Sequence, residues 1–285
     1  MDKKKIIGII LIAVLSITAV VSGVMFARQY SDSRKSKEAF NGLADLVVNI
    51  DTSRQAEPVE DTGTDEVSET DESAELTEEE ILALQTKLAH EKYGALFEQN
   101  QDFIGWISID GTNINYPVMQ TPDNPDYYLK HSFEKSWSDY GVPYIDEACI
   151  MGISNNVVIY GHNMRNGSMF GKLPLYSDSE YWREHKFAEF DSLMERKQYV
   201  IFAAFYSADY DEYEEGFRYN ADIRYKMEAD QWLEEIRQNQ IYDTGIDAQF
   251  GDEFITLTTC ERSRRQDGRF VVVMRRIREG ETFDE

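Results

Sequence analysis

Residues 254–261 read FITLTTCE, a short run of apolar and β-branched residues that ends at a cysteine. Such a run predicts a buried strand, because β-branched and aromatic side chains pack well on a pleated surface. A second apolar run, VVIYGHNM at 157–164, stops at a glycine and then presents His162. The sequence therefore predicts two strands whose ends carry a thiol and an imidazole.

Other short apolar runs predict further strands, with few helices between them. Strands are predicted at 106–109, 114–118, 156–160, 199–206, 253–259 and 270–277, and helices at 77–100 (in two stretches), 179–193 and 227–238. The first two strands flank Asp110-Gly111, a pair that tolerates the positive φ angles of a tight turn. We expect a mostly β fold, a closed barrel of mainly antiparallel strands with added helices.

The composition excludes some classes of protein. The 285 residues include 29 Lys and Arg against 53 Asp and Glu, which gives a net charge of −24. Nucleic acid is an unsuitable partner for such a chain, because its phosphates need a basic surface. The two cysteines can form at most one bridge, so the fold must rest on an apolar core rather than on a disulfide framework.

Residues 6–26 contain no charge and follow three lysines. Their length is about what a helix needs to cross a hydrocarbon layer ~30 Å thick. A cleaved signal peptide would have a shorter apolar region, and this run continues past its passable cleavage site at 21–23. We therefore expect an uncleaved, single-pass membrane anchor, with residues 1–5 in the cytoplasm and the long remainder outside, since long domains translocate largely regardless of charge.

Acidic side chains are concentrated at 57–80, where twelve Asp and Glu residues stand without a basic one. Such a segment cannot bury enough apolar surface to offset its ordering entropy. We expect residues 27–76 to form a largely disordered extracellular tether and 77–285 to form the folded domain. An acidic interaction tail or a calcium site is the alternative, although the spacing of an EF-hand loop is absent.

A third reactive side chain follows the cysteine at short range. Arg269 comes nine residues after Cys260 and opens the predicted strand 270–277. If 262–268 is a hairpin connection, the two residues face each other across neighbouring strands. A thiolate nucleophile, an imidazole that donates a proton to a leaving amine and a cation that stabilises an oxyanion together suit acyl transfer.

Each of these residues also has a simpler interpretation. A lone cysteine is usually a small buried hydrophobe, a lone histidine a structural residue, and a lone arginine a surface charge. A disulfide between Cys149 and Cys260 is a further alternative in an oxidising compartment. The four histidines and two cysteines lack the paired spacings of a zinc site, so no metal and no cofactor is predicted. The joint position of the three residues at strand boundaries favours catalysis.

Several segments, in order along the chain, resemble the sortases of class B. They are DFIGWI at 102–107, YPVMQ at 116–120, DN at 123–124, YGHNMRNGSMFG at 160–171, TLTTCE at 256–261 and GRFVV at 268–272. The resemblance extends from about residue 93 to 277. It implies a β-barrel cysteine transpeptidase, with helices added at its N-terminal end and before the strand of the catalytic cysteine.

The resemblance also implies roles for individual residues. Cys260 corresponds to the nucleophile, His162 to the general acid and base, and Arg269 to the cation that holds substrate and oxyanion. The positions that line the peptide groove in class B correspond to Asn124, Tyr160, Thr258 and Glu261.

The function expected from the resemblance is the anchoring of secreted surface proteins to the cell wall. Such enzymes cut a C-terminal sorting motif after Thr, hold the protein as a thioacyl-enzyme and pass it to an amine of the peptidoglycan precursor. A pilin lysine as acceptor, which would make the enzyme a pilin polymerase, is one alternative. A plain cysteine peptidase and a membrane-tethered binding domain without enzymatic activity are the others.

Overall fold

The computed structural model describes residues 3–54, 78–208, 217–221, 223–264, 266 and 268–283. The chain divides into two compact units, Met1–Gly42 and Leu43–Glu285. The second unit contains a closed β-barrel.

A long helix, α1 (Lys3–Arg54), covers both the predicted anchor and the first half of the predicted tether. Within the part of the chain that was described, no helix is both long and apolar enough to cross a membrane. The structure therefore does not support the transmembrane helix predicted at 6–26. In this segment, the side chains of 6–10 and 13 are not among those that the structure describes.

The beginning of the predicted tether is helical rather than disordered. The segment 27–54 continues α1, and an exposed Arg34–Glu38 ion pair with an N–O distance of 2.8 Å links successive helical turns. The acidic run that would oppose folding begins only at residue 57. The rest of the predicted tether, 55–76, and Thr77 at the start of the next predicted helix lie outside the described residues.

The second unit contains the end of α1, from Leu43 onward, and α2 (Glu78–Gln99), which leads into eight strands. The strands are β1 (Phe103–Ile109), β2 (Asn115–Met119), β3 (Tyr144–Ile145), β4 (Asn156–Tyr160), β5 (Phe187–Ser192), β6 (Arg196–Ala208), β7 (Phe254–Cys260) and β8 (Gly268–Arg276). They close a barrel in the order β1-β2-β3-β4-β7-β8-β6-β5, with β5 paired to β1. In this described barrel, only the β2–β3 and β4–β7 pairs are parallel. The predicted closed, mainly antiparallel barrel is confirmed.

Strands β4 and β7 lie at the centre of the core. Their residues are buried almost continuously. Strands covered on both faces are rich in apolar and β-branched residues rather than alternating with polar ones, as these two are. On one side, α4 (Lys226–Asn239) packs Trp232 edge-on against Phe254 at a ring-centroid distance of 5.1 Å. The predicted helix before the cysteine strand is thus confirmed.

One predicted helix is correct only in its first part. The prediction covers 179–193, but α3 (Ser179–Glu184) ends early and the chain continues into β5. Phe187–Ser192 pairs with β1 on one side and β6 on the other. The buried side chains of Ala188 and Phe190 alternate with less buried ones, so pairing and burial within the barrel override the local helical tendency.

Candidate active site

The parallel pair β4–β7 brings the ends of the two predicted strands together. The last register pair is Tyr160 with Thr258, and His162 and Cys260 each follow two residues later. The Thr259 hydroxyl donates to the Gly161 carbonyl at 2.6 Å. Both strands therefore deliver their reactive residue at the same end of the barrel.

A further contact joins the segments just beyond the strands. The side-chain amide of Asn163 donates to the carbonyl of Cys260 at an N–O distance of 2.7 Å. The backbone N–H of Phe170 donates to the carbonyl of His162 at 3.0 Å. These bonds fix the backbone on both sides of the candidate site.

Arg269 reaches Cys260 from the neighbouring antiparallel strand. The two residues are register partners in the β7–β8 pair, and Nη1 of Arg269 lies 3.4 Å from Sγ of Cys260. The Glu261 N–H also donates to the Gly268 carbonyl at 2.8 Å, across the mouth of the connection. The predicted hairpin between β7 and β8 is present, although residues 265 and 267 lie outside the description.

His162 is held by a backbone carbonyl. Its Nε2 lies 2.8 Å from the oxygen of Leu129, which follows β2 in the short 3-10 helix Tyr127–Leu129. Because a carbonyl only accepts, Nε2 carries the proton and Nδ1 is the basic nitrogen of the neutral ring. Burial lowers the pKa of His162, although the Leu129 carbonyl opposes this by raising it.

The two cysteines have different surroundings and are not bonded to each other. Cys149 is buried, with its Sγ 3.5 Å from the Asn156 carbonyl oxygen and 3.4 Å from the Val158 backbone nitrogen. Cys260 is half-buried at a strand end. The disulfide alternative is not realised in the structure. In the described residues, no group of three or more His, Cys, Asp or Glu side chains is arranged to hold a metal ion.

The four predicted groove residues differ in exposure. Tyr160 is half-buried and donates to the Asp146 carboxylate at 2.7 Å. Thr258 is fully buried, with its hydroxyl 3.4 Å from the hydroxyl of Tyr219. Glu261 is half-buried and accepts a hydrogen bond from the backbone of its own turn, whereas Asn124 is exposed in the loop after β2.

Tyr144 and Asp126 also lie at this end of the barrel, and neither is among the site residues predicted from sequence. The Tyr144 hydroxyl donates to the Asp126 carboxylate, and its ring lies 5.5 Å from that of Tyr160. Burial raises the pKa of Tyr144; Asp126 and Cys260 also raise it, while Arg269 lowers it. No local pattern could have indicated this contact, because it depends on the path of the intervening loop.

Comparison with known proteins agrees with this geometry. The family model described as a sortase domain matches residues 107–277. Sortase B of Listeria monocytogenes is 31% identical over 176 residues, which cover 61% of this chain and 69% of the relative. Sortase B of Staphylococcus aureus is 28% identical over 187 residues, which cover 65% of this chain and 74% of the relative.

Solved structures give the same result. The crystal structure of Clostridium perfringens sortase B aligns with a TM-score of 0.59 and 29% identity, covering 65% of this chain and 99% of that one. A substrate complex of Staphylococcus aureus sortase B aligns with a TM-score of 0.59 and 26% identity, covering 70% and 95%. The barrel, the matched domain and these relatives together show that the chain belongs to the sortase family and is a class B sortase, a cysteine transpeptidase.

Proposed function

We propose that this sortase cleaves the C-terminal sorting motif of secreted surface proteins after a threonine and joins the protein to an amine of the cell-wall precursor. The observation that carries the proposal is the contact between Arg269 and Cys260, with Nη1 3.4 Å from Sγ. A cysteine transpeptidase needs a reactive thiol, and the chain has only two cysteines. Cys149 is buried against backbone atoms, so Cys260 is the nucleophile.

In the first half-reaction, the Cys260 thiolate attacks the carbonyl carbon of the substrate threonine. The guanidinium of Arg269 stabilises the negative charge that develops on the carbonyl oxygen. His162, in its protonated form, gives a proton to the leaving amine as the C–N bond breaks. The products are a thioester on Cys260 and the released C-terminal peptide.

In the second half-reaction, an amine of the acceptor attacks the thioester carbon. Neutral His162 takes the proton from the attacking amine, and the C–S bond breaks to regenerate the thiolate. Since Nε2 is bound to the Leu129 carbonyl, Nδ1 is the nitrogen that exchanges the proton. The acceptor that we propose is an amine of the peptidoglycan precursor.

We propose that the sorting peptide lies along Asn124, Tyr160, Thr258 and Glu261. The support differs among them. Asn124 is exposed and Tyr160 and Glu261 are half-buried, so their side chains are accessible to a peptide. Thr258 is fully covered, so a direct contact with substrate requires a neighbouring side chain to move.

The proposal is tested by incubating the full-length protein with a library of threonine-containing peptides and examining it by mass spectrometry. We expect a thioester adduct on Cys260, and we expect Cys260→Ala to remove both the adduct and peptide cleavage. Cys149→Ala is the matched control and should keep both. Unchanged cleavage by Cys260→Ala would disprove the assignment, and a folded protein that cleaves no peptide would favour a binding domain.

The acceptor is tested separately, because hydrolysis and transfer share the same thioester. Adding an amine that mimics the precursor should divert product from the free acid to the amide. A product that stays the free acid at every amine concentration would indicate a peptidase, and selective use of a pilin lysine would indicate a polymerase.

The cellular location is proposed from the sequence alone. Residues 6–26 form an uncharged run preceded by lysines, and we propose that it attaches the enzyme to the cell membrane with the barrel outside. Full-length protein should then resist alkaline extraction from membranes, whereas a variant lacking residues 1–26 should be released. Release of both forms would contradict the attachment.

A further inference from the structure

A hydrogen bond fastens the loop after β2 to β3. The Tyr144 hydroxyl, on β3, donates to the carboxylate of Asp126, in the loop. Asp126 has a φ of 60°, in the left-handed region that non-glycine residues adopt at some energetic cost. Such a conformation persists only where the surrounding structure holds it, and the Tyr144 contact supplies that hold.

The residues after Asp126 lead directly to His162. The Leu129 N–H donates to the Asp126 carbonyl at 2.9 Å, which closes the short 3-10 helix. The Leu129 carbonyl in turn accepts from His162 Nε2 at 2.8 Å. A continuous series of three hydrogen bonds therefore runs from Tyr144 through Asp126 and Leu129 to the imidazole.

The other side of the same helix is tied to the barrel independently. The Val142 N–H donates to the Tyr128 carbonyl at 3.0 Å, and the buried Tyr128 hydroxyl donates to Asp102 at 2.8 Å. Tyr144 itself is the register partner of Tyr160, on the strand that leads to His162. The helix thus has one fixed side, and the Tyr144–Asp126 bond sets the position of its Asp126 end.

We propose that Asp126 and Tyr144 are positioning residues for His162, which fix the Leu129 carbonyl and through it the tautomer and orientation of the imidazole. The inference rests on the proposed role of His162 in proton transfer. The arrangement resembles, in its logic, a catalytic histidine oriented by a third group, except that the orienting atom is a backbone carbonyl set by a carboxylate and a phenol. Neither residue needs to contact the substrate.

Three variants separate the parts of this arrangement. Tyr144→Phe removes the hydroxyl and keeps the ring that lies against Tyr160. Asp126→Gly removes the acceptor but accepts a φ of 60° without strain. Asp126→Asn keeps an acceptor oxygen and tolerates the left-handed conformation, so it serves as the conservative variant. Tyr242→Phe is the matched control, since its hydroxyl donates to the Tyr176 carbonyl at 2.7 Å.

The first readout is kinetic. We expect Tyr144→Phe and Asp126→Gly to lower kcat about tenfold or more, because misplacing a proton-transfer group by a fraction of an ångström is costly. KM should change less than kcat, since neither side chain is among the proposed groove residues. Asp126→Asn and Tyr242→Phe should keep most of kcat.

The second readout does not depend on activity. In protein labelled with ¹⁵N-histidine, the Nε2–H of His162 should give a protected resonance, assigned by its loss in His162→Gln. Tyr144→Phe and Asp126→Gly should broaden or remove it, and Asp126→Asn should retain it. A retained resonance with wild-type kcat in Tyr144→Phe overturns the proposal, as does a lower kcat with the resonance unchanged. If Cys260→Ala kept activity, the proposed function would fail while this resonance still reported on the positioning.

Discussion

Nη1 of Arg269 lies 3.4 Å from Sγ of Cys260, and the two residues are direct partners in the antiparallel pair β7–β8. The cation is therefore placed beside the thiol by a backbone ladder rather than by a loop. A planar guanidinium at this position can donate to both the sulfur and a developing oxyanion.

We predict that Arg269→Gln lowers kcat/KM about 100-fold or more, because it removes a charged donor from the oxyanion. Arg269→Lys keeps the charge but not the fork of donors, so it should recover only part of the lost kcat/KM. Steady-state kinetics of both variants beside wild type make the measurement, and full recovery in Arg269→Lys would show that the charge alone is sufficient.

The buried state of His162 predicts a dependence of stability on pH. Burial lowers its pKa below the usual value of about 6.5, so near and below that pH the unfolded chain binds the proton more readily. The contribution to stability is complete above about pH 6.5 and is lost as the pH falls towards the folded pKa.

The charge of Lys130 also lowers the pKa of His162, and the charge of Asp139 raises it. The measurement compares the free energy of unfolding of wild type with that of His162→Gln from pH 8 to pH 5. The advantage of wild type should shrink towards low pH. An advantage that stays level or grows would mean that His162 is not buried in its neutral form.

The pairing of Cys260 with Arg269 could be predicted from sequence, because it follows from strand geometry. The nine-residue separation of Cys260 and Arg269 fits a hairpin, and a hairpin makes its flanking residues partners. The runs at 157–160 and 254–260 consist almost entirely of apolar, aromatic and β-branched residues and are buried along most of their length, so they read clearly as strands.

The remaining features depend on contacts between distant parts of the chain. The local sequence of Phe187–Ser192 predicts a helix, whereas the segment forms a strand that pairs with β1 and β6. These pairings are not visible in the local sequence. The Tyr144–Asp126 bond spans 18 residues and depends on a left-handed aspartate in a loop, which no spacing rule predicts. Sequence therefore indicates the proposed reacting groups better than the residues that we propose orient them.

Gly161 immediately precedes His162, and a larger side chain at this position tests how tightly the segment is packed. A Cβ at this position would lie 2.5 Å from Cδ2 of Phe170, whose ring is fully buried. We expect Gly161→Ala to cost about 1–3 kcal/mol in the free energy of unfolding, through overpacking. It should also reduce activity, because Phe170 bonds to the His162 carbonyl.

The control for this substitution is Gly94→Ala in α2, where the nearest atom to a new Cβ is Nδ1 of His90 at 3.8 Å. Alanine favours a helix interior over glycine by up to ~1 kcal/mol, so this variant should be neutral or more stable. Chemical denaturation of the two variants beside wild type makes the comparison. Equal stability of Gly161→Ala and wild type would show that Phe170 can yield.

Strands β4 and β7 are also joined by a buried side-chain bond, which predicts how their pairing is stabilised. The Thr256 hydroxyl donates to the Asn156 side-chain oxygen at 2.7 Å, and the Asn156 amide donates to the Tyr219 carbonyl at 2.9 Å. Thr256→Val keeps the shape but leaves the Asn156 oxygen unpaired, which should cost about 1–3 kcal/mol. Thr256→Ser keeps the hydroxyl and loses one buried methyl group, which should cost about 1 kcal/mol. In denaturant unfolding, the valine variant should therefore have a lower free energy of unfolding than the serine variant. The reverse order would mean that packing of the methyl group, rather than the hydrogen bond, dominates at this position.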